Sequence, residues 1–222
     1  MAGNRGFGGQ ATRFFQNLEE DNSRDFWNAH KDTYEREVKQ PMVELLESLP
    51  EKYQPFRLFR MNRDLRFTKD RSPYKTQQGA ISDAGGSDYY LHLDGTGLLV
   101  AVGTYLMEPD QLDRYRPAVA DGRSGQALER ILADLEAQSI QTDGIGVPSL
   151  KTAPRGYAKD HPRIELLRRK GLIGHRTLTG PKLRTGGGVR DFVVETFEAC
   201  EPLVAWLGRH VGTPAERSEP ER

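Results

Sequence analysis

Tyr89-Tyr90-Leu91-His92-Leu93-Asp94-Gly95-Thr96-Gly97-Leu98-Leu99-Val100-Ala101-Val102-Gly103 is the stretch that decides the fold. Asp94-Gly95-Thr96-Gly97 supplies the residue types of a hairpin turn, and the apolar and aromatic runs on either side read as its two strands. Just upstream, Gly79-Ala80-Ile81-Ser82-Asp83 reads as a further sheet segment. From about Phe56 the hydrophobic period is already two. Phe59, Met61, Leu65 and Phe67 share one face of an expected strand, interrupted by Arg63, while Arg60, Asn62, Asp64 and Arg66 line the other. The middle of the chain is therefore predicted to be an antiparallel sheet.

Outward from the sheet the period lengthens to that of helices. Thr12 is expected to cap a short helix with Phe14, Phe15 and Leu18 on its apolar face. Ser23 precedes a longer one, in which Phe26, Trp27, His30, Tyr34, Val38, Met42, Leu45, Leu46 and Leu49 recur at helical spacing; Pro41 should kink or split it. Beyond Glu108-Pro109, helices are predicted over Asp110 to Ala120, with a bend at Pro117, and over Gln126 to Gln138. Gly144 to Pro148 reads as a loop and Leu150 as the start of a short edge strand. Asp160 is placed as the cap of a helix ending at Gly171, and a final helix spans Val189 to Leu207. Helices, then a sheet, then helices predict the α+β class: a central antiparallel sheet flanked by N-terminal and C-terminal helices. At 222 residues the chain suits a single domain over 11–210, with disorder expected in the glycine-rich 1–10 and in the polar tail 211–222.

The 32 Lys and Arg equal the 32 Asp and Glu, so net charge is zero, where a non-specific nucleic-acid coat would carry a basic excess. The charge is concentrated locally. Arg57 to Lys75 holds seven cations against two acids and Lys151 to Arg176 holds eight against two, which leaves the remainder acidic by eleven. One cysteine, Cys200, sits in an amphipathic helical pattern and excludes an intramolecular disulfide; no stretch has the apolar length of a signal peptide or membrane span. A cytoplasmic protein with no membrane partner is expected. The histidines show no metal spacing, and no phosphate-loop, dinucleotide or nucleophile-elbow motif occurs, so no metal site is predicted. The glycine runs at 144–146 and 186–188 read as flexible loops.

The chemistry concentrates in R-M-N-R-D-L-R-F-T-K-D-R-S-P-Y-K, Arg60 to Lys75. Arginine presents a planar fork of donors that matches phosphate or carboxylate, so Arg60, Arg63, Arg66, Lys69 and Lys75 are candidate ligand-binding residues. In an extended strand Arg63 would point away from Arg60 and Arg66 and need a buried partner. Ser72-Pro73-Tyr74-Lys75 reads as a rigid turn aiming Tyr74 and Lys75. Asp64 and Tyr74 are candidate proton-transfer groups, although a carboxylate paired with arginine makes a poor base. A second set, Lys151 to Pro162, carries Lys151 and Arg155 toward an expected helix N-terminus, with His161 as a further candidate acid or base.

The Arg60 to Lys75 string resembles the signature R-x-x-R-D-x-R-F-x-x-D-K-x-P-Y-K of the domain of unknown function 2461 family, conserved hypothetical proteins of bacteria and some fungi. F-F-Q-N-L-E-E-D-N-S-R-D-F-W-N-A-H-K, Tyr89 to Leu93 and L-K-T-A-P-R-G-Y-A-K-D-H-P are also similar, over about Phe14 to Leu207. Arg71 stands where the pattern has lysine, Asp21 where asparagine is usual, and Phe26-Trp27 reverses the usual aromatic order. The resemblance implies that Arg60, Arg63, Asp64, Arg66, Phe67, Tyr74 and Lys75 belong to the defining motif and that the Pro154 to Pro162 stretch accompanies it. It names neither an activity nor a cofactor, because the family is itself uncharacterised. Three functions fit these residues: a pocket for a small phosphorylated or carboxylated ligand built from both basic segments, a nucleic-acid-binding or nuclease-like surface, and an interaction module whose Arg-Asp network is internal.

Overall fold

A computed structural model describes residues 5–64, 66 and 71–215. Leu65, Phe67 and Lys69 lie outside them, as does the tail from residue 216. The chain, expected as one domain over 11–210, groups into two compact units: the first holds 1–84, 89–101 and 176–198, the second 85–88, 102–175 and 199–222.

The first unit begins with helix α1 (Gly9–Glu20), which buries Ala11, Phe14, Phe15 and Leu18 at helical spacing. It starts three residues before the expected cap, so Thr12 lies in the first turn and donates to the Gly9 carbonyl at 3.4 Å. Phe7, inside the stretch expected to be disordered, is fully buried, and its N–H donates to Leu183 O at 2.8 Å. Helix α2 (Arg24–Tyr34) is capped by Ser23, whose Oγ accepts from the Phe26 amide at 3.1 Å. A π-helical turn, Glu35–Lys39, joins it to α3 (Gln40–Ser48). That wide turn is the local answer to Pro41, which lacks an N–H and would crowd the preceding carbonyl in a regular helix. The helix neither stops nor splits there.

Strands β1 (Arg57–Leu58), β2 (Gln78–Ser82), β3 (Asp88–Leu93), β4 (Leu98–Thr104) and β5 (Leu172–Leu178) form one sheet in the order β1-β2-β3-β4-β5. The architecture is α+β with helices flanking an antiparallel sheet. The Asp94–Gly97 hairpin is present: Asp94 Oδ1 accepts from the amides of Thr96 (2.7 Å) and Gly97 (3.0 Å) and from the Thr96 hydroxyl (2.7 Å). Only glycine fits at 97, because a Cβ there would lie 2.3 Å from the Leu178 carbonyl oxygen. Tyr89 packs from the core face of β3 against Tyr53 (5.0 Å) and against Phe197 (4.9 Å) of α7 (Gly186–Ala199).

Several expectations are corrected. Over the described residues 59–64 the expected strand is not formed: they make an antiparallel bridge, Asn62 with Tyr74, and the expected strand positions Leu65 and Phe67 lie outside the described residues. Phe59 N–H donates to Gly79 O, Arg63 N–H to Pro73 O and Lys75 N–H to Met61 O, so residues 61–63 fold back along 73–75 in a narrow return. Pro73 has no donor to extend that ladder. The glycine run 186–188 opens α7 and is not a loop; a Cβ on Gly188 would sit 2.5 Å from Thr185 Oγ1, so glycine serves close packing there. The last predicted helix is two, α7 and α8 (Glu201–His210), separated at Cys200 with Pro202 in the first turn of the second. Strand β5 returns to the sheet after the helices of the second unit, where no sheet segment was expected.

The second unit holds α4 (Pro109–Ala120), α5 (Gly122–Ala137), α6 (Ile164–Arg168) and α8. Asp121 caps α5 through Oδ1, which accepts from the Arg123 and Ser124 amides. Buried Tyr115 donates to Leu166 O at 3.0 Å, and Trp206 Nε1 donates to Ser124 O at 3.0 Å. The helix expected from Asp160 shrinks to the five residues of α6, because Pro162 has no amide to give and His161 Nδ1 accepts the Arg163 N–H instead. Leu150 donates to Arg168 O at 2.8 Å beside a single bridge of Ser149 with Arg169, a minimal version of the expected edge strand.

Candidate functional site

The sheet register of the first unit sets up the site. Arg57 pairs with Ile81, Gly79 with His92 and Ile81 with Tyr90, so these residues share the face opposite buried Ala80, Leu91 and Leu93. Phe59 lies on that face above Gly79. A Cβ at 79 would come within 3.1 Å of both the Phe59 ring and the Tyr90 hydroxyl, so the glycine lets the two rings approach, with centroids 6.3 Å apart. Cations gather around Phe59: the Arg57 guanidinium carbon is 4.9 Å and Lys75 Nζ 5.1 Å from the ring centroid. Partial burial lowers the Lys75 ammonium below the usual lysine range, and the positive charges of Arg60, Arg57 and Arg63 lower it further. Arg57, Arg60 and Arg63 are thus each near enough to Lys75 to act on its charge.

Lys75 is held in place through its neighbour. Asn22, at the entry to α2, grips the Tyr74 backbone with both ends of its amide: Nδ2 donates to Tyr74 O at 3.1 Å and Oδ1 accepts the Tyr74 N–H at 3.0 Å. The Tyr74 ring, 7% exposed, stacks on Trp27 at 4.4 Å and 13°. Buried Gln78 ties the same region together, accepting from Tyr34 Oη at 2.6 Å and donating to Phe59 O at 2.8 Å. Burial raises the Tyr34 phenol pKa well above its usual value.

Beside the cations runs a polar chain along β3. Gln77 Nε2 donates to Tyr90 Oη at 3.0 Å, Tyr90 Oη lies 3.1 Å from His92 Nδ1, and His92 Nε2 lies 3.5 Å from Asp94 Oδ2. Burial pushes the Asp94 carboxyl up, but hydrogen bonds from His92, Thr96 and Gly97 together outweigh it and hold it well below the usual carboxylate range.

The candidate residues distribute as follows. Lys75 lies against the Phe59 ring, and Arg60 and Arg63 are near enough for their charges to lower its pKa. Asp64 and Arg66 form an exposed bidentate pair, Nε to Oδ1 at 2.9 Å and NH2 to Oδ2 at 2.7 Å. That pairing, seconded by the Arg66 amide, lowers the Asp64 pKa and makes it a weak proton acceptor. The Tyr74 ring packs in the aromatic core, away from the proton-transfer place expected for it. Lys69 lies outside the described residues. Lys151, Arg155 and His161 belong to the second unit, Lys151 and Arg155 exposed; His161 is engaged by the Arg163 amide at 3.0 Å. The expected helix N-terminus for an anion there is absent, since α6 begins only at Ile164. Arg163, half-buried, reaches the Val119 and Asp121 carbonyls at the end of α4 and lies 2.9 Å from Glu129.

Phe59, Gln77, Tyr90, His92 and Asp94 were not singled out as site residues from sequence. Their signal was the spacing of two that puts Tyr90, His92 and Asp94 in one row leading into the hairpin turn. Among the described residues no cluster of three or more His, Cys, Asp or Glu side chains could hold a metal, and no helix is long and apolar enough to cross a membrane.

Compared with protein families, residues 10–206 match the conserved hypothetical protein family DUF2461. No curated protein and no solved structure matches the chain.

Proposed function

The chain belongs to the DUF2461 family of conserved hypothetical proteins, and from that premise we propose that it binds a small phosphorylated or carboxylated ligand on the first unit's face formed by Arg57, Arg60, Arg63 and Lys75. One observation carries this reading: Lys75 is partly buried among three like charges that lower its pKa. Holding cations together in that way costs free energy in the empty protein, and an anion on the same face offsets the cost. Arg66 already has its charge offset by Asp64, so the reading does not rest on it. Phe59, with Arg57 and Lys75 against its ring, gives the ligand an apolar surface next to the charges.

Thermal-shift titration with inorganic pyrophosphate, with and without a short single-stranded oligonucleotide as competitor, tests the reading. Pyrophosphate should raise Tm, and the Lys75→Gln and Arg60→Ala variants should lose that rise while keeping their own Tm near that of the parent. An oligonucleotide that binds better than pyrophosphate, with affinity falling by roughly one decade per decade of salt for each phosphate contacted, would replace the small-ligand reading with a nucleic-acid one. No shift with either probe would refute both.

A further inference from the structure

Deepening the anion-binding reading, and resting on it for the substrate class, we propose that the same face is a proton-transfer site in which Tyr90 takes a proton from a hydroxyl group of a phosphorylated or carboxylated alcohol. His92 and Asp94 act through Tyr90 as positioning residues. Asp94 is anchored as an acceptor by two backbone amides and the Thr96 hydroxyl. An ionised carboxylate only accepts, so the His92 nitrogen facing it, Nε2 at 3.5 Å, carries the ring hydrogen. Nδ1 is then the bare nitrogen, and at 3.1 Å it accepts the phenolic hydrogen of Tyr90. Gln77 donates to the same phenolic oxygen from another side at 3.0 Å, which fixes its orientation and stabilises negative charge on it.

The step balances within these groups. The substrate O–H bond breaks and a new O–H bond forms on Tyr90 as its original hydrogen passes to His92 Nδ1. The products are a substrate alkoxide and an imidazolium whose charge Asp94 offsets. The alkoxide forms beside the cations that hold the acid group, since the Tyr90 and Phe59 rings are 6.3 Å apart and Lys75 and Arg57 lie against the latter. Charge developing in the step therefore meets preorganised positive charge. A merely structural row of hydrogen bonds would show the same distances but would not make Tyr90 a better nucleophile than an ordinary surface tyrosine.

Labelling with an arylsulfonyl fluoride reads that difference without knowledge of the substrate. The phenolic oxygen attacks sulfur, fluoride leaves, and the phenolic proton goes to His92. Tyr105, 47% exposed and donating to Gly146 O, is the internal reference in the same molecule. Peptide mapping should find Tyr90 modified at least about tenfold faster than Tyr105 despite its lower exposure, because His92 serves as its general base. In His92→Phe the rate at Tyr90 should fall to that of Tyr105. A wild-type ratio of one or below overturns the proposal with no variant required, and so does a high ratio that survives His92→Phe. Pyrophosphate should slow labelling of Tyr90 in the parent and not in Lys75→Gln. Fast, His92-dependent labelling that pyrophosphate leaves unchanged would support the relay and refute the anion-binding reading alone.

Discussion

Replacing Asn22 by alanine removes both hydrogen bonds that hold the Tyr74 backbone, at 3.0 and 3.1 Å, while leaving the Trp27–Tyr74 stack in place. Tyr74 is 7% exposed, so water reaches its backbone poorly once the amide is gone. A hydrogen bond contributes about 1 kcal/mol net, and each buried backbone group left unpaired costs about 1–3 kcal/mol; for two groups with partial access to water, about 3 kcal/mol is expected. If the loss falls on local opening of the 61–63 and 73–75 return, the Tyr74 amide should exchange with deuterium roughly a hundredfold faster than in the parent. The Lys75 amide, bonded to Met61 O at 2.8 Å in the same return, should accelerate with it. Asn22→Asp keeps an acceptor for the Tyr74 N–H but faces the Tyr74 carbonyl with a second oxygen, so it should not rescue. Because the return sets Lys75 against Phe59, pyrophosphate affinity should fall in parallel. Exchange accelerated less than about threefold, with affinity unchanged, would refute the view that Asn22 organises the site.

Other consequences follow from the same contacts. Asp94→Ala removes the acceptor of three hairpin hydrogen bonds and should cost about 2 kcal/mol in urea denaturation at neutral pH. Because the folded Asp94 pKa is depressed, its ionic contribution is complete above the unfolded value of about 3.9 and is lost as pH falls toward the folded one, so parent and variant should converge only in strong acid. Gln78→Leu strands the Tyr34 hydroxyl and should destabilise by about 2 kcal/mol, partly recovered in the Tyr34→Phe double variant. Asp64→Ala should leave Tm unchanged, since its partner Arg66 is exposed; unfolding would instead support an internal Arg-Asp network. For Lys75 the shift is a penalty: its folded pKa lies below the unfolded value of about 10.4, so the penalty is full at low pH and disappears as pH rises past that value. An anion restores the proton, so binding between the two values should take up protons, measurable by calorimetry in two buffers of different ionisation enthalpy.

The hairpin and the helical face of α1 could be read directly because each rests on neighbours in sequence: a run of turn residues and a three-and-four spacing. The 59–63 segment could not. Its alternation fitted a strand, yet its ladder depends on Gly79 and on a return through Pro73, which local pattern does not report. Strand β5 was missed for a similar reason, since it pairs with β4 nearly seventy residues earlier in sequence. At the site, Arg60, Arg63 and Lys75 announced themselves by charge, whereas Tyr90 and His92 belong to the face only through the register that sets Ile81 and Gly79 opposite them. Asp64 looked like the best carboxylate in the motif, but Asp94, fixed by the hairpin turn, is the one aligned with a histidine.

Isothermal titration of the parent protein and of Lys75→Gln and Arg60→Ala with inorganic pyrophosphate at low salt tests the central claim most directly. The account predicts a saturable, single-site isotherm for the parent and at least about a tenfold loss of affinity in each variant, the factor that about 1.4 kcal/mol of a lost charged contact represents. Equal binding by all three proteins, or none by the parent, would contradict it.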